Sequence, residues 1–257
     1  SAVTSCKNGT GSYAPTSATS GTSFAWSRAT VAGISTAASS GTGNPDESLT
    51  NTTSSPVTVT YVYTLTATGC TNMQSVTATV NPTPSLSSSL SAGSICNNGT
   101  VSYSPASTTS GTSFAWSRAA VAGISTAASG GTGDVNESLT NTTANPVGVT
   151  YVYTLTANGC TNMQNVTAMV NPTPMFSSSL SGGSICNNTT FSYTPASATE
   201  GTSFAWSRAT VAGISNAAGT GSDDPIETLV NTTVDPVAVT YVYTLTANGC
   251  TNTQNVT

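Results

Sequence analysis

One eleven-residue stretch, which this chain carries three times with small changes, limits what it can fold into. From Val57 to Ala67 every second residue is apolar or aromatic, and the residues between them are Thr and Val. This alternation has the two-residue period of a pleated strand, and Thr, Val and Tyr all favour strands. We therefore predict the central strand of a sheet, with its odd-numbered side chains in a core. The ending Tyr-Val-Tyr-Thr-Leu-Thr-Ala recurs unchanged at 151–157 and 241–247.

The whole chain repeats with a period of 90 residues, which the tryptophans Trp26, Trp116 and Trp206 and both sets of cysteines share. The predicted units have the limits 1–84, 85–174 and 175–257. A unit of this size suits a small β-sandwich, and three units end to end would form a rod of roughly 110–130 Å. The third unit ends at Thr257, so we predict that its last strand is truncated.

The predicted fold class is all-β. No stretch of ten residues keeps the 3.6-residue apolar period of a helix, whereas short alternating stretches, separated by Gly, Ser, Asn and Pro, give about seven strands per unit. A lone tryptophan on a central strand is the usual centre of a sandwich core. The predicted core positions are Trp26, Trp116, Trp206, Tyr63, Tyr153 and Tyr243.

Charged residues make up 5% of the chain, and the net charge is −5. The only cations are Lys7 and three arginines, one per unit, so a nucleic-acid partner is excluded because phosphate binding needs clustered Lys and Arg. No stretch approaches the roughly 20 apolar residues of a membrane span, so we expect no membrane insertion in this segment. The first five residues lack the pattern of a signal peptide, and we interpret the chain as a window from a longer protein.

The six cysteines fall as two per unit, 64 residues apart. Neither a C-x-x-C motif nor a histidine accompanies them, so a zinc site has no support. We predict one disulfide within each unit, which implies an oxidising compartment outside the cytoplasm. A closed loop of this length is worth on the order of 4 kcal/mol in the loop-entropy model. The predicted pairs are Cys6–Cys70, Cys96–Cys160 and Cys186–Cys250.

Residues suited to catalysis are scarce. The chain has no His, and Lys7 is replaced by Asn in the other units, so no base is available beside a Ser or Thr nucleophile. One Glu recurs per unit, whereas glycoside hydrolysis needs two carboxylates around one groove. We predict that the chain is not an enzyme and uses no cofactor. A weak calcium candidate, based on clustered carboxylates, consists of Asp223, Asp224 and Glu227.

One Arg and one Glu keep their places in every unit. A polar binding spot is one interpretation, but we favour a structural ion pair that holds the neighbouring Gly-rich loop, worth about 0–1 kcal/mol if exposed. The predicted pairs are Arg28 with Glu47, Arg118 with Glu137, and Arg208 with Glu227. Weak glycosylation candidates also recur, as the Asn-Thr-Thr sequons that begin at Asn51, Asn141 and Asn231.

Four features together resemble the PKD-like, immunoglobulin-like repeats of Bacteroidota cell-surface proteins. They are the strand Phe24-Ala25-Trp26, the phrase Tyr61-Val62-Tyr63-Thr64-Leu65-Thr66-Ala67, the pair Gly69-Cys70 and the joint Asn81-Pro82-Thr83-Pro84. The resemblance covers all three units. It implies three tandem PKD-like β-sandwich domains in an elongated array, within a large secreted protein of the gliding or adhesin type that the type IX system exports. The family offers no catalytic residues to transfer, and the two prolines of the joint predict a short, stiff spacer.

The favoured function is a non-catalytic stalk or filament-forming module of an extracellular surface protein. Its expected partners are other copies of itself or further repeats of the same chain, because few like charges keep such surfaces apart. One alternative is an array of carbohydrate-binding modules, in which Tyr13, Tyr61 or Tyr63 would stack on surface glycans. That role needs aromatic rings on a solvent face, whereas these tyrosines have the inward parity of their strands. The other alternative is an inert spacer attached to an enzyme outside this sequence.

Overall fold

A computed structural model describes residues 3–6, 10, 11 and 13–257. The regular secondary structure of these described residues consists of β-strands, which form three separate groups that follow the sequence repeats. In each group a large, mostly antiparallel sheet is accompanied by a two-stranded sheet. The all-β prediction of tandem immunoglobulin-like sandwiches is therefore confirmed.

The first repeat has a five-stranded sheet in the order β1-β7-β6-β3-β4 and a pair formed by β2 and β5. Its strands are β1 (Val3–Cys6), β2 (Thr10–Gly11), β3 (Ser23–Arg28), β4 (Ser39–Thr42), β5 (Glu47–Ser48), β6 (Val57–Ala67) and β7 (Cys70–Asn81). The hairpin of β6 and β7 is the longest element, and its two-residue turn has Thr68 and Gly69 at positive φ. That turn suits the twist of a hairpin, and the glycine makes one of its two positive φ values inexpensive. β1 pairs with the far end of β7 in parallel.

The second repeat has the same plan, in the order β11-β10-β13-β14-β8 with a pair formed by β9 and β12. Its strands are β8 (Ser91–Cys96), β9 (Thr100–Tyr103), β10 (Ser113–Arg118), β11 (Ser129–Thr132), β12 (Val135–Ser138), β13 (Val147–Ala157) and β14 (Cys160–Asn171). Val101 of β9 and Val135 of β12 lie in one core cluster with Tyr151 of the large sheet. The two sheets therefore enclose a shared core.

The third repeat has a four-stranded sheet, β17-β16-β19-β20, and a pair formed by β15 and β18. Its strands are β15 (Thr189–Phe191), β16 (Ser203–Arg208), β17 (Gly219–Ser222), β18 (Glu227–Leu229), β19 (Tyr241–Ala247) and β20 (Cys250–Val256). In the second repeat Met169 and Val170 of β14 pair with both β13 and β8, and Asn171 pairs with β8. Their 90-residue counterparts lie outside the sequence. Residues 181–186 and 236–240 accordingly form no strand, and an open groove of about 480 Å³ lies between them.

Each repeat has its own core cluster. The alternation of the central strand places Val59, Tyr61 and Tyr63 of β6 in the core of the first repeat, at 0%, 4% and 2% exposure. Trp26 lies beside them, and its ring contacts that of Tyr61 edge-on at 5.5 Å between centroids. Gly41 faces the same indole so closely that a Cβ on it would lie 2.9 Å from the ring. The aromatic layer and the glycine that accommodates it recur in the other two repeats.

The predicted disulfides within units are wrong. The structure instead bonds Cys6 to Cys160 and Cys96 to Cys250, each across 154 residues. The three predicted pairs, Cys6–Cys70, Cys96–Cys160 and Cys186–Cys250, are thus all replaced, and Cys70 and Cys186 are free and exposed. The bonds join neighbouring repeats, so a repeat is not the self-contained, disulfide-clamped unit that the sequence suggested.

The reason lies in the strand register. β1 is aligned with β7 so that Cys6 stands beside Asn81, the last residue of that strand. Cys70 is the first of its 12 residues, and a strand of that length separates the two cysteines by roughly 36 Å. A disulfide requires Cα atoms within about 7 Å, so a bond within the repeat is geometrically impossible.

None of the described residues forms a helix long and apolar enough to cross a membrane.

Candidate functional site

Hydrogen bonds and a disulfide connect each pair of neighbouring repeats. At the first junction the hairpin turn of the second repeat, before Cys160, reaches the end of β7 in the first. The Nδ2 atom of Asn81 donates a hydrogen bond to the carbonyl oxygen of Asn158 at 2.7 Å. Beside this bond, Cys6 and Cys160 form the disulfide, with 5.5 Å between their Cα atoms. The hairpin of one repeat thus caps the strand ends of the previous one.

The linker at this junction is held against the repeat that follows it. Asn81, Pro82 and Pro84 are all buried. The side chain of Asn162 donates to the carbonyl oxygen of Pro84 at 3.0 Å, and the Oε1 atom of Gln164 accepts a hydrogen bond from the backbone of Leu86. Because the prolines restrict the backbone and β14 binds it from the side, the linker is a fixed part of the structure.

The second junction reproduces the first contact by contact. Asn171 donates to the carbonyl oxygen of Asn248 at 2.9 Å. Asn252 donates to the Pro174 carbonyl at 2.9 Å, and Gln254 accepts from the backbone of Phe176 at 2.7 Å. The Cα atoms of the disulfide between Cys96 and Cys250 are 5.6 Å apart. The same spatial relation therefore carries the first repeat onto the second and the second onto the third.

A second recurring site is the buried cluster of one Arg, one Glu and one Tyr in each repeat. In the second repeat, Arg118 donates from Nε to Glu137 Oε2 and from a terminal nitrogen to Oε1, both at 2.8 Å. Tyr151 and Ser129 donate to the same carboxylate at 2.8 and 2.6 Å. The remaining arginine donors bind the carbonyl oxygens of Ala119 and Ala127. The side chain of Arg118 is 0% exposed and that of its glutamate 13%.

The three cluster pairs match the predicted partners but not their predicted environment. The side chains of Arg28 and Arg208 are 0% and 1% exposed and those of their glutamates 12% and 20%, so the pairs are not surface pairs of negligible energy. They tie the central strands to the Gly-rich loop through the carbonyl oxygens of Ala37 and Ala217. The third repeat has Gly219 where the others have Ser39 and Ser129, and Glu227 accordingly lacks the serine bond.

The cluster holds its charges fixed. Burial raises the pKa of Glu137, but hydrogen bonds from Arg118, Ser129 and Tyr151 outweigh it and leave the pKa below its usual value. The hydrogen bond to Glu137 raises the pKa of Arg118 against the opposing effect of burial. Burial is the largest cause of the raised pKa of Tyr151, and its hydrogen bond to the carboxylate of Glu137 is the second. The pKa of Tyr153 is raised to about 12, mainly by burial and secondly by electrostatic interaction with Tyr103 and Asp134. These shifts keep each group in its ordinary charge state near neutral pH, which suits a structural role.

The first two sequon asparagines are buried structural residues. Asn51 and Asn141 are 3% and 5% exposed. The amide nitrogen of Asn141 donates to the carbonyl oxygens of Asn145 and Val170, each at 2.8 Å, and its Oδ1 accepts from the backbone of Thr143. Such an amide is inaccessible for glycan attachment in the folded protein. Asn231 keeps the turn contacts, but the counterpart of the Val170 acceptor lies outside the sequence.

The remaining sequence candidates are not brought together as a site. The carboxylate of Glu227 is engaged by Arg208 and Tyr241, and Asp224 accepts from Thr194. Among the described residues no group of three or more His, Cys, Asp or Glu side chains could hold a metal ion. Lys7 lies outside the described residues.

The aromatic residues considered for glycan stacking face the core. Tyr61 and Tyr63 are 4% and 2% exposed. Tyr13 is partly buried, and its ring packs against Tyr63 at 5.7 Å between centroids. Stacking on a sugar requires an open aromatic face, which the first two tyrosines lack.

Comparison with known proteins finds one matching family model and several similar solved structures. A family model described as a PKD-like domain matches residues 93–174. No curated protein matches the chain. Three immunoglobulin domains of titin align with 99% of this chain and 93% of their own length, at 10% identity and a TM-score of 0.43. Extracellular domains 3–5 of Drosophila OTK align with 98% of this chain and 91% of their own, at 9% identity and a TM-score of 0.34. Immunoglobulin domains 1–5 of Sidekick-1 align with 98% of this chain and 57% of their own, at 12% identity and a TM-score of 0.35.

The fold and the junctions define a class of protein. The chain is a tandem array of immunoglobulin-like sandwiches, and its central repeat matches the PKD-like family. Such domains are typical of extracellular adhesion and structural repeats and are generally non-catalytic. The two disulfides agree with an extracellular protein, because such bonds persist in oxidising compartments.

Proposed function

We propose that this chain is a non-catalytic stalk or filament-forming segment of a large extracellular surface protein, built from units at 1–84, 85–174 and 175–257. The observation that supports this most directly is the junction, which is closed twice in the same way by a buried linker and a disulfide. Two covalent connections at different points prevent one repeat from rotating freely against the next. An enzyme or a single binding module has no need of such a joint, whereas a spacer that must hold its length does.

The surface chemistry supports contact with other copies or further repeats. All three arginines are buried in ion pairs, so the described surface presents carboxylates but no accessible basic side chain. Hydroxyl and amide groups dominate the remainder. Such a surface neither attracts anionic partners nor strongly repels its own copies. The proposed parent is a gliding-type or adhesin-type protein of Bacteroidota, located at the cell surface and exported by the type IX route.

Small-angle scattering tests the stalk. The oxidised chain should behave as one rod with a maximum dimension of roughly 110–130 Å and a narrow range of inter-repeat angles. Reduction should broaden that range while leaving each sandwich folded, because each core is local to its repeat. A matched control is Asn171→Ala, which removes one junction bond but leaves both disulfides, and should loosen the second junction less than reduction does. A broad distribution of angles in the oxidised protein would overturn the proposal.

A further inference from the structure

The outer face of each large sheet carries no charge. It is formed by the side chains of β3, β4, β6 and β7, and of the matching strands in the other repeats, that point away from the core. On β6 these are the even-numbered residues, because Tyr61 and Tyr63 are buried. The outward positions of these strands hold Ser, Thr, Asn, Gly, Ala, Val and Met, and every Asp and Glu of the chain lies on a small sheet or in a loop. A sheet face that meets only water usually mixes charged side chains with polar ones, so this face is unusual.

The centre of the outer face is apolar. In the first repeat Thr64 stands in one row with Ala25 of β3 and Met73 of β7. Val62 lies two residues before Thr64 on β6, so it is the diagonal neighbour of both. Met73 is 66% exposed, and its counterpart Met163 in the second repeat is 65% exposed. Apolar side chains inside a ring of hydroxyl groups, with methionine present and charges absent, are the composition of a protein interface.

The contacts between repeats leave the outer face open. Asn162 and Gln164 of β14 bind the linker at the first junction. Met163 stands between them in sequence and therefore points to the opposite side of the strand. It is as exposed as Met73, which lies on the strand that leads into this junction. The exposure of the face is thus the same on both repeats that the junction joins.

The chemistry of the outer face suits a second copy of the chain. It has neither the cations that an anionic partner needs nor the carboxylates that a basic partner needs. It has no aromatic ring to stack on a sugar. Two copies of the same face, however, present no like charges to each other, and a two-fold axis would bring their apolar centres together. Their side chains can interdigitate as those of two stacked sheets do, about 10 Å apart.

The area of the outer face decides how many repeats must take part. The four strands of the first repeat have 6, 4, 11 and 12 residues. At about 3.3 Å per residue and about 4.8 Å between strands they cover roughly 500 Å². A stable interface buries about 800 Å² on each partner. One repeat is therefore too small, whereas two consecutive repeats, fixed to each other by the junction, are sufficient.

We infer that copies of this chain associate side by side through the outer faces of their large sheets, with the apolar centres of the first two repeats in contact. The inference rests on the proposed filament function and names its lateral contact. The residues at those centres are Ala25, Val62 and Met73 in the first repeat and Ala115, Val152 and Met163 in the second. The third repeat has Thr253 in place of the methionine and contributes less.

The test places charges at the centre of the face, in the full oxidised chain with its two free cysteines alkylated. One variant carries Met73→Glu with Met163→Glu, and another carries Met73→Lys with Met163→Lys. Sedimentation velocity over a range of concentrations should show dimers or larger assemblies of the unaltered chain. Each variant alone should associate at least about tenfold more weakly, because like charges then meet. An equal mixture of the two variants should associate again, because opposite charges meet.

Two further variants separate the contact from a general effect of charge. Met73→Thr with Met163→Thr copies the third repeat and should weaken association several-fold without adding charge, since it removes apolar contact area. The matched control is Ile226→Glu with Val234→Glu, which adds the same charge in loops of the third repeat, where the two side chains are 71% and 100% exposed. This control should associate like the unaltered chain.

An unaltered chain that stays monomeric at every concentration would overturn the inference. Equal association of the Glu variant and the unaltered chain would do the same, and so would a mixture of Glu and Lys variants that does not recover. A loop control that loses as much association as the Glu variant would show net charge, and not this face, to be the cause. Since rod stiffness is measured on the dilute monomer, a stiff chain that does not associate leaves the stalk function standing, while a flexible monomer removes it.

Discussion

Reduction of the two disulfides should greatly lengthen the chain when it is pulled from its ends. In the oxidised chain the shortest covalent path from Cys6 crosses to Cys160, returns along 64 residues to Cys96, and crosses to Cys250. In the reduced chain the path from Cys6 to Cys250 contains all 244 residues. The difference is 180 residues, which at about 3.5 Å each corresponds to roughly 630 Å of extra contour length.

Single-molecule force spectroscopy measures this length, with Cys70 and Cys186 alkylated first. A discriminating variant is Cys96→Ser with Cys250→Ser, which keeps only the first disulfide and leaves 90 residues between positions 160 and 250. Its contour between positions 6 and 250 should be roughly 315 Å. A disulfide from Cys6 to Cys70 would instead leave 180 residues, or roughly 630 Å. The longer value would refute the inter-repeat pairing.

Three further predictions concern the repeats themselves. Replacing Arg118 by Met should destabilise the second repeat by about 3–5 kcal/mol, since it leaves Glu137 without its buried partner. Hydrogen exchange measured separately for each repeat gives this loss of stability, and a loss under about 1 kcal/mol would indicate an ordinary surface pair. The pKa of Glu137 in the folded protein lies below its unfolded value of about 4.3, so the ion pair stabilises the fold above that pH and loses its contribution as the pH falls through the folded pKa. Glu137→Gln should therefore flatten the fall in Tm between about pH 5 and pH 3. An unchanged dependence of Tm on pH would count against this linkage. Gly131→Ala should cost about 1–3 kcal/mol because its Cβ would lie 3.0 Å from the ring of Trp116, whereas the control Gly148→Ala, which meets only a methionine methyl at 4.0 Å, should be neutral or stabilising in urea unfolding.

The sequence predicted what depends on local periodicity. The two-residue alternation located the central strands, and it gave the inward side of Tyr63 and its counterparts because successive side chains of a regular strand point to opposite faces. The recurring Arg and Glu pointed to their partnership, since nearly all other charges vary between repeats. Their burial was missed because local pattern does not show what covers a side chain: Glu137 lies on the small sheet, and its partner Arg118 lies on the large one.

The spacing of the cysteines cannot identify their partners, because the same positions recur in every repeat. Cys6 is 64 residues from Cys70 and 154 from Cys160, and these spacings differ by one whole period. The position of a cysteine within its unit is therefore the same for either partner. What decides is the parallel register of β1 against the end of β7, which places Cys6 a full strand length from Cys70. A signal was present, since Val76, Ala78 and Val80 alternate along a stretch that follows Cys70 and ends at Asn81. Only the pairing of β1 with that stretch makes the signal decisive.

The junctions separate the stability of a repeat from the stiffness of the array. Each core stabilises its own sandwich. Two covalent connections fix one repeat against the next: the linker and a disulfide to the hairpin of the following repeat. The junction can therefore be small and polar, with Asn81 and Asn158 in contact where an apolar interface would otherwise be required. Since no arginine of the described chain is exposed, added salt has few surface ion pairs to screen. The shape of the oxidised rod should accordingly respond to reductant and hardly at all to ionic strength.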